Sequence, residues 1–336
     1  MTTIKELAHI LDLAPSTISK SLNNSPEISD CTKLKVKQAA KEYGYVPNNA
    51  ARSLKLKRTK CIGVIIPNVT DAFFGKVLHG IEEEARKHNY TIMVSFSNNS
   101  HRLESNHLQN FMNFCVDGVL ISFSKETQCQ KNYKHLEHLE LSHMPLVMFD
   151  RVLEDSVFNS ITIDDLEGAY NATTHLIETG CKKIAFVSPI AETSVGKKRK
   201  QGYLKALQVH EYSSHPICIE FSSYDDFKPM LKEAMKSNDI DAFVAADELS
   251  AICSLNTVQQ WGYKVPHQIS IVGFTDGIMG QCSNPPLSMV SQNAEELGRE
   301  TVKTFIQCVE NPNLVRIQHK VIKTDLVLRD STKSLS

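Results

Sequence analysis

Thr3-Ile4-Lys5-Glu6-Leu7-Ala8-His9-Ile10-Leu11, then Asp12-Leu13-Ala14, then Pro15-Ser16-Thr17-Ile18-Ser19-Lys20-Ser21-Leu22: this opening decides how the chain is read. Ile4, Leu7, Ala8 and Leu11 recur at i, i+3, i+4 and i+7, which gives a first helix one apolar face. After the three-residue break, Pro15 suits the first turn of a second helix, where a missing N–H leaves no bond unmade. That helix turns Ile18 and Leu22 inward, and Asn23-Asn24-Ser25-Pro26 ends it. A third helix, roughly 30–43, is expected to bury Leu34, Val36 or the stem of Lys37, Ala40 and Tyr43, closing at Gly44. Two short helices joined by a tight turn and braced by a third make an all-α helix-turn-helix. There the start of the second helix enters the major groove, so Pro15, Ser16, Thr17 and Lys20 come nearest base edges and phosphates.

Charge agrees. The 336 residues carry a net −1, but residues 1–60 hold eleven Lys/Arg against five Asp/Glu, leaving 26 basic and 33 acidic residues beyond them. A basic head on an acidic body suits a polyanionic partner. The length exceeds what one core usually organises, and no apolar run is long enough to cross a bilayer. The N-terminus enters an amphipathic pattern directly, without a secretion segment, so a cytoplasmic protein is expected. Nine scattered cysteines with no C-x-x-C pair fit reduced thiols rather than a disulfide framework or structural zinc.

From Cys61 the period changes. Cys61-Ile62-Gly63-Val64-Ile65-Ile66-Pro67 is a short apolar run of the kind buried on both faces of a sheet. Further strands are expected near 90–96, 118–121, 146–149, 183–187, 217–221, 242–245 and 269–273, with helices between them, including roughly 102–114 and 130–142. Such alternation gives parallel, doubly wound sheets, here in two lobes, with ligands at the carboxyl ends of strands in the cleft between them.

These segments together resemble the LacI/GalR family of bacterial regulators, nearly end to end. T-I-K-E-L-A from Thr3, S-T-I-S-K-S-L-N from Ser16, G-Y-V-P-N from Gly44 and A-R-S-L-K from Ala51 match its DNA-binding head. Val116-Asp117-Gly118-Val119-Leu120, Phe149-Asp150-Arg151, Ile163-Asp164-Asp165, His175-Leu176-Ile177-Glu178-Thr179-Gly180 and Val272-Gly273-Phe274 match its effector domain, built like a periplasmic sugar-binding protein. Pro285 to Val290 looks like the last crossover between lobes.

The resemblance implies a head over 1–47, a hinge and linker over 48–60 and an effector and dimerisation domain over 61–336. The first lobe would take about 61–160 and 292–325, the second about 161–291 and 326–336. It implies a homodimer reading a near-palindromic double-stranded DNA operator, with Thr3 among the contacts. Leu54 would wedge into the minor groove, supported by Asn48, Ala51, Arg52 and Lys55. It also implies a small-molecule effector, a carbohydrate first, that sets the grip on DNA through the lobe angle, and no cofactor. The effector residues carried over are Phe73 and Phe74 (a ring to stack on a sugar face), Asp150 (an acceptor for hydroxyls), Arg199 (a forked donor) and Phe221 (an aromatic platform). Asp247 stands where the family commonly has Asn, and Thr275 where it usually has Asp, with Asp276 one position on as the stand-in.

Ala14 also departs from the family, whose Ser or Thr there caps the recognition helix. Lys197 and Lys198 read either as a solvated helix start or as the mark of an anionic effector. His135, His138 and His143 share an amphipathic helix without a carboxylate triad, so no metal is expected there. No nucleophile elbow, P-loop, G-x-G-x-x-G or H-E-x-x-H is present, and no catalysis is expected. A transport-type binding protein would share the two-lobed body but would need a secretion signal and no DNA head. The C-terminal tail carries no leucine heptad, so a coiled-coil tetramer is not expected.

Overall fold

The computed structural model describes residues 2–45, 58–212, 215–311 and 317–334. The chain divides into two compact units, Met1–Thr59 and Lys60–Ser336.

The first unit holds helices Ile4–Leu11, Pro15–Leu22 and Asp30–Glu42. Thr3 Oγ accepts from Glu6 N at 3.3 Å while the Glu6 carboxylate accepts from Thr3 N at 2.7 Å, a capping box that ties down the first turn. Ser29 caps the third helix by accepting from Thr32 N. Ala14 supplies no side-chain cap to the second, and Pro15 stands at its start. Leu7, Ala8, Ile18, Val36, Ala39 and Ala40 form the core. Leu34 and Tyr43, expected inside, are 69% and 44% exposed. The buried stripe of the third helix is Val36, Ala39, Ala40, and Leu34, two positions before Val36, lies roughly 200° around the axis. Tyr43 is the C-cap, past the last turn, and Tyr45 packs on the core instead.

The second unit is two stacked α/β lobes. The strands are β1 Cys61–Ile66, β2 Thr91–Phe96, β3 Gly118–Ile121, β4 Leu146–Phe149, β5 Asn159–Ile163, β6 Ile184–Ser188, β7 Ile217–Glu220, β8 Ala242–Ala245, β9 Ser270–Phe274, β10 Ser288–Ser291, β11 His319–Ile322 and β12 Asp325–Val327. One sheet runs β11-β5-β4-β3-β1-β2, the other β12-β10-β9-β8-β6-β7. The first is parallel throughout. The second is parallel except for β12, which pairs antiparallel with β10. The chain therefore passes between lobes three times: after β5, after β10 and between β11 and β12. β5 extends the first lobe's first segment to Ile163, and β12 belongs to the second sheet.

The stretch read as one helix over 130–142 is broken. A helix Lys125–Gln130 stops at Lys131, in the left-handed conformation at φ +50°, and a 3-10 turn Lys134–Leu136 leads into a short helix Glu137–Ser142.

In the first lobe the helix Ala294–Glu310, back from the second lobe, lies against Ala72–Lys87. The approach depends on glycine: a Cβ at Gly80 would fall on the Glu295 carbonyl, and one at Gly298 on that of Val77. Leu297, Val302, Phe305 and Ile306 then seal the core over Ile62, Val64 and Phe149.

Candidate functional site

Parallel strands all end at one edge of each lobe, and the residues just past those ends face one another. Asp71, Asp150, Asp247, Thr275 and Gln292 follow β1, β4, β8, β9 and β10, and all line one narrow cavity between the lobes. Phe73, Phe74, Arg151, Arg199, Glu248 and Phe274 complete its polar and aromatic wall.

Arg199 anchors the second lobe's side. It is 3% exposed; its Nε donates to Asp165 at 2.7 Å, and its two terminal nitrogens donate to the Ala246 carbonyl at 2.5 Å and to Gln292 Oε1 at 2.8 Å. Its guanidinium lies 4.1 Å from the centre of the Phe274 ring. A planar fork bonded through all three of its nitrogens is held in one orientation, and each terminal nitrogen keeps a second N–H for a ligand.

Asp150 anchors the first lobe's side. It has φ +58°, a conformation an Asp tolerates, and its Oδ2 accepts from Ser122 Oγ at 3.1 Å. Burial pushes its carboxyl up to about 6, opposed by the neighbouring Arg151 guanidinium. Burial also lowers the pKa of Arg151, which donates to Asn99 Oδ1 at 2.6 Å. Phe73 and Phe74 meet edge to face at 5.2 Å, and Asp71 Oδ1 accepts from Phe73 N at 3.0 Å, fixing the helix start that carries both rings. Asp247 caps the helix Glu248–Gln260, accepting from Ser250 N at 2.7 Å; burial raises its pKa too.

Six of the eight effector residues expected from sequence thus share the cavity: Phe73, Phe74, Asp150, Arg199, Asp247 and Thr275. Two do not. Asp276 turns away, its carboxylate accepting from Ser291 Oγ at 2.6 Å, Gln292 N at 2.9 Å and Ala294 N at 3.1 Å, where it braces the crossover after β10. Phe221 follows β7, the edge strand of the second sheet, and packs on Tyr224 and Phe227 beside a different, open groove. Lys197 and Lys198 also miss the cavity lining, pairing with Glu192 and Glu154. Asp71, Arg151, Glu248 and Gln292 are not among the effector residues expected from sequence; Arg151 and Glu248 directly follow Asp150 and Asp247, and Asp71 stands two positions before Phe73, which is the signal that could have found these three.

In the head, Pro15, Ser16 and Lys20 are exposed along one side of the second helix, Thr17 is half-buried, and Thr3 is exposed at the first cap. The Lys20 ammonium pairs with Glu27, both well exposed, so the pair costs little to open toward a phosphate. Asn48, Ala51, Arg52, Leu54 and Lys55 lie outside the described residues.

Comparison with known proteins places both units. Residues 3–48 match the family described as bacterial regulatory proteins, lacI family, and residues 173–332 match the periplasmic binding protein-like domain. The chain is 30% identical over 341 residues to a ribose operon repressor of Haemophilus influenzae, covering all of both chains. Its fold is similar to that of the lac repressor dimer bound to operator and the anti-inducer ONPF, with TM-score 0.85, 22% identity and 99% of each chain covered. It is also similar to a LacI family transcriptional regulator from Enterococcus faecium with bound ribose, with TM-score 0.72, 22% identity, and 82% of this chain and 100% of that one covered.

Proposed function

We propose, from the premise that the chain belongs to the LacI family of bacterial regulatory proteins, that its effector is a neutral sugar held between Phe73, Asp150, Arg199 and Thr275. The chain is a DNA-binding transcriptional regulator with a helix-turn-helix head and a two-lobed, periplasmic-binding-protein-like body.

The observation that carries the sugar reading is the charge of the cavity wall. Four carboxylates (Asp71, Asp150, Asp247, Glu248) face two guanidiniums (Arg151, Arg199). Such a wall repels an added phosphate and offers paired acceptors and donors to hydroxyls. The displaced Phe221 leaves the cavity without a ring from that position to sandwich a planar base. The relative's name, ribose operon repressor, makes pentoses the first class to test.

The cavity amounts to about 40 Å³, room for two or three water centres. The lobes therefore part to admit a sugar. Lys60 donates its backbone N–H to Asp117 at 3.1 Å and sets its ammonium 4.2 Å over the Tyr90 ring, so the chain enters the first lobe at a fixed point. In a homodimer, a change of lobe angle then resets the separation of the two hinge segments and with it the grip on a near-palindromic operator. Trp261, Tyr263, Ile278 and Met279 on the second lobe are exposed and apolar enough to serve such a dimer. Among the described residues no helix is long and apolar enough to cross a membrane; the reading is of a cytoplasmic regulator without turnover.

The test uses the intact protein. Thermal shift is measured against pentoses, hexoses, sugar phosphates and nucleobases, and bound DNA is selected from a random pool. A neutral sugar that raises the melting temperature, with a near-palindromic DNA site weakened by Ser16→Ala and Lys20→Ala, is the expected result. A shift confined to phosphates or bases removes the sugar reading.

A further inference from the structure

The first lobe holds a second constellation, apart from the cleft wall. The helix His101–Asn113 begins with His101 and carries Glu104 one turn later on the same face. The 3-10 turn Lys134–Leu136 brings His135 to them from the broken segment read as a single helix. One ligand atom from each of the three lies within 4.8 Å of the other two, and the imidazole rings meet edge to face at 4.9 Å.

We propose that His101, Glu104 and His135 form a site for one divalent transition-metal ion, zinc by the chemistry of its donors. Two imidazoles and a carboxylate are a zinc set that keeps one position open, and bond lengths of ~2.0–2.2 Å ask only that the three side chains draw inward. The sequence pattern His135, His138, His143 does not take part as a trio; only His135 does.

Burial makes the constellation more than a chance meeting. The Glu104 side chain is 0% exposed and that of His135 4% exposed. Glu104 is oriented from behind: its Oε2 accepts from Ser124 N at 2.5 Å and its Oε1 from Thr127 Oγ at 2.7 Å. Both nitrogens of His101 are hydrogen-bonded, Nδ1 with Thr127 Oγ at 3.1 Å and Nε2 with the Asn132 amide at 3.1 Å; coordination through one gives up that bond, and the other partner stays to orient the ring. His135 is the exception. Its Nε2 lies 3.0 Å from Glu104 Oε1 but off the direction a hydrogen bond needs, and neither ring nitrogen has a hydrogen-bond partner among the described residues. A buried imidazole with both nitrogens unmatched is uncommon. A cation between it, Glu104 and His101 supplies the missing partner once the three side chains draw inward.

The ion would sit behind the helix Lys125–Gln130, whose Thr127 touches the site and whose Lys125 and Gln128 reach the second lobe. It would stiffen the part of the first lobe that closes on the second.

The experiment is a Co²⁺ titration of the full-length protein after chelation and dialysis, read by visible absorption. The nine free cysteines are the competing ligands, and thiolate coordination announces itself by an intense near-ultraviolet charge-transfer band. The expected result is one saturable Co²⁺ with visible bands, no thiolate band, and displacement by Zn²⁺. His135→Gln weakens it at least about tenfold. His101→Asn, at a partly exposed position where folding is less at risk, does the same with an unchanged far-ultraviolet circular dichroism spectrum. The absence of saturable binding, a spectrum dominated by thiolate bands, or binding unaffected by either substitution overturns the site.

Discussion

Gln128 and Ser194 hold one another across the two lobes: Gln128 Nε2 donates to Ser194 Oγ at 3.1 Å, and Ser194 N donates to Gln128 Oε1 at 3.1 Å. The same amide donates to the Val152 carbonyl at 2.9 Å, and Val152 N donates to Ser194 Oγ at 3.3 Å, so backbone from both lobes is tied into one knot. Each such bond contributes about 0.5–1.5 kcal/mol net. Gln128→Ala should shift the balance of open and closed lobes roughly five- to a hundredfold toward open. Small-angle scattering of the ligand-free protein should show a larger radius of gyration, and effector should enter and leave faster. An unchanged scattering profile would mean that the rest of the interface already holds the lobes shut.

Arg199→Ala strands the Asp165 carboxylate, 2% exposed, without its partner and frees Gln292 and the Ala246 carbonyl. Removing one member of a buried pair costs about 3–5 kcal/mol, a fall on the order of 10 °C in melting temperature for a unit of this size. The double substitution Arg199→Met with Asp165→Leu should recover much of that loss while leaving effector binding abolished. A calorimetric scan that finds the double variant no more stable than Arg199→Ala would mean that the arginine stabilises through Gln292 and Ala246 rather than through Asp165.

How much of this was legible in the sequence follows from which residues carry the burial. β3, β4 and β8 are continuous apolar runs and fall where the pattern puts them. β5 reads Asn159-Ser160-Ile161-Thr162-Ile163 and escapes notice, because its buried polar groups are satisfied by partners far along the chain: His319 Nδ1 lies 2.8 Å from Ser160 Oγ, and Gln318 N donates to Asn159 Oδ1 at 2.8 Å. Cleft residues that directly follow central strands were legible by position. Asp276 was not, because one step past Thr275 the side chain is already taken up by Ser291, Gln292 and Ala294 at the end of β10. Phe221 was not, because β7 sits at the sheet edge. The constellation of His101, Glu104 and His135 needs the break at Lys131, which no periodicity announces.

If Asp150 holds the effector as proposed, binding should be pH-dependent. Its carboxyl is raised to about 6, chiefly by burial, and in the proposed site it would accept sugar hydroxyls as a carboxylate. Above that value it is ionised and binds; as the pH falls through it, the protonated fraction grows and affinity drops. Isothermal titration with the effector should show affinity about tenfold lower at about pH 5 than at about pH 7. Asp150→Asn should flatten the profile and weaken binding at neutral pH by roughly tenfold or more, the contribution of a charge-assisted hydrogen bond. A profile just as steep in the asparagine variant would assign the titration to Asp247 instead.

The last prediction concerns the head, where the departure at Ala14 has a physical cost. Ala14 has φ −64° and ψ 143°, the extended conformation of an N-cap, and its carbonyl already accepts from Thr17 N at 2.9 Å and Ile18 N at 3.1 Å. Its methyl group accepts nothing, and Pro15 removes only one of the donors left at the helix start. An eight-residue helix is unstable by itself, so its first turn frays unless packing or a cap holds it. Serine fits the same backbone and adds an acceptor for the early N–H groups, a gain of about 1 kcal/mol. In the intact protein Ala14→Ser should slow amide hydrogen exchange across 16–22 about fivefold, since 1 kcal/mol is roughly that factor in an opening equilibrium. Thr3→Ala, which dismantles the capping box of the first helix, should speed exchange there by a similar factor. If Ala14→Ser leaves exchange unchanged while Thr3→Ala accelerates it, then Ile18, 0% exposed in the core, and the ring of Pro15 already hold the second helix at its full stability.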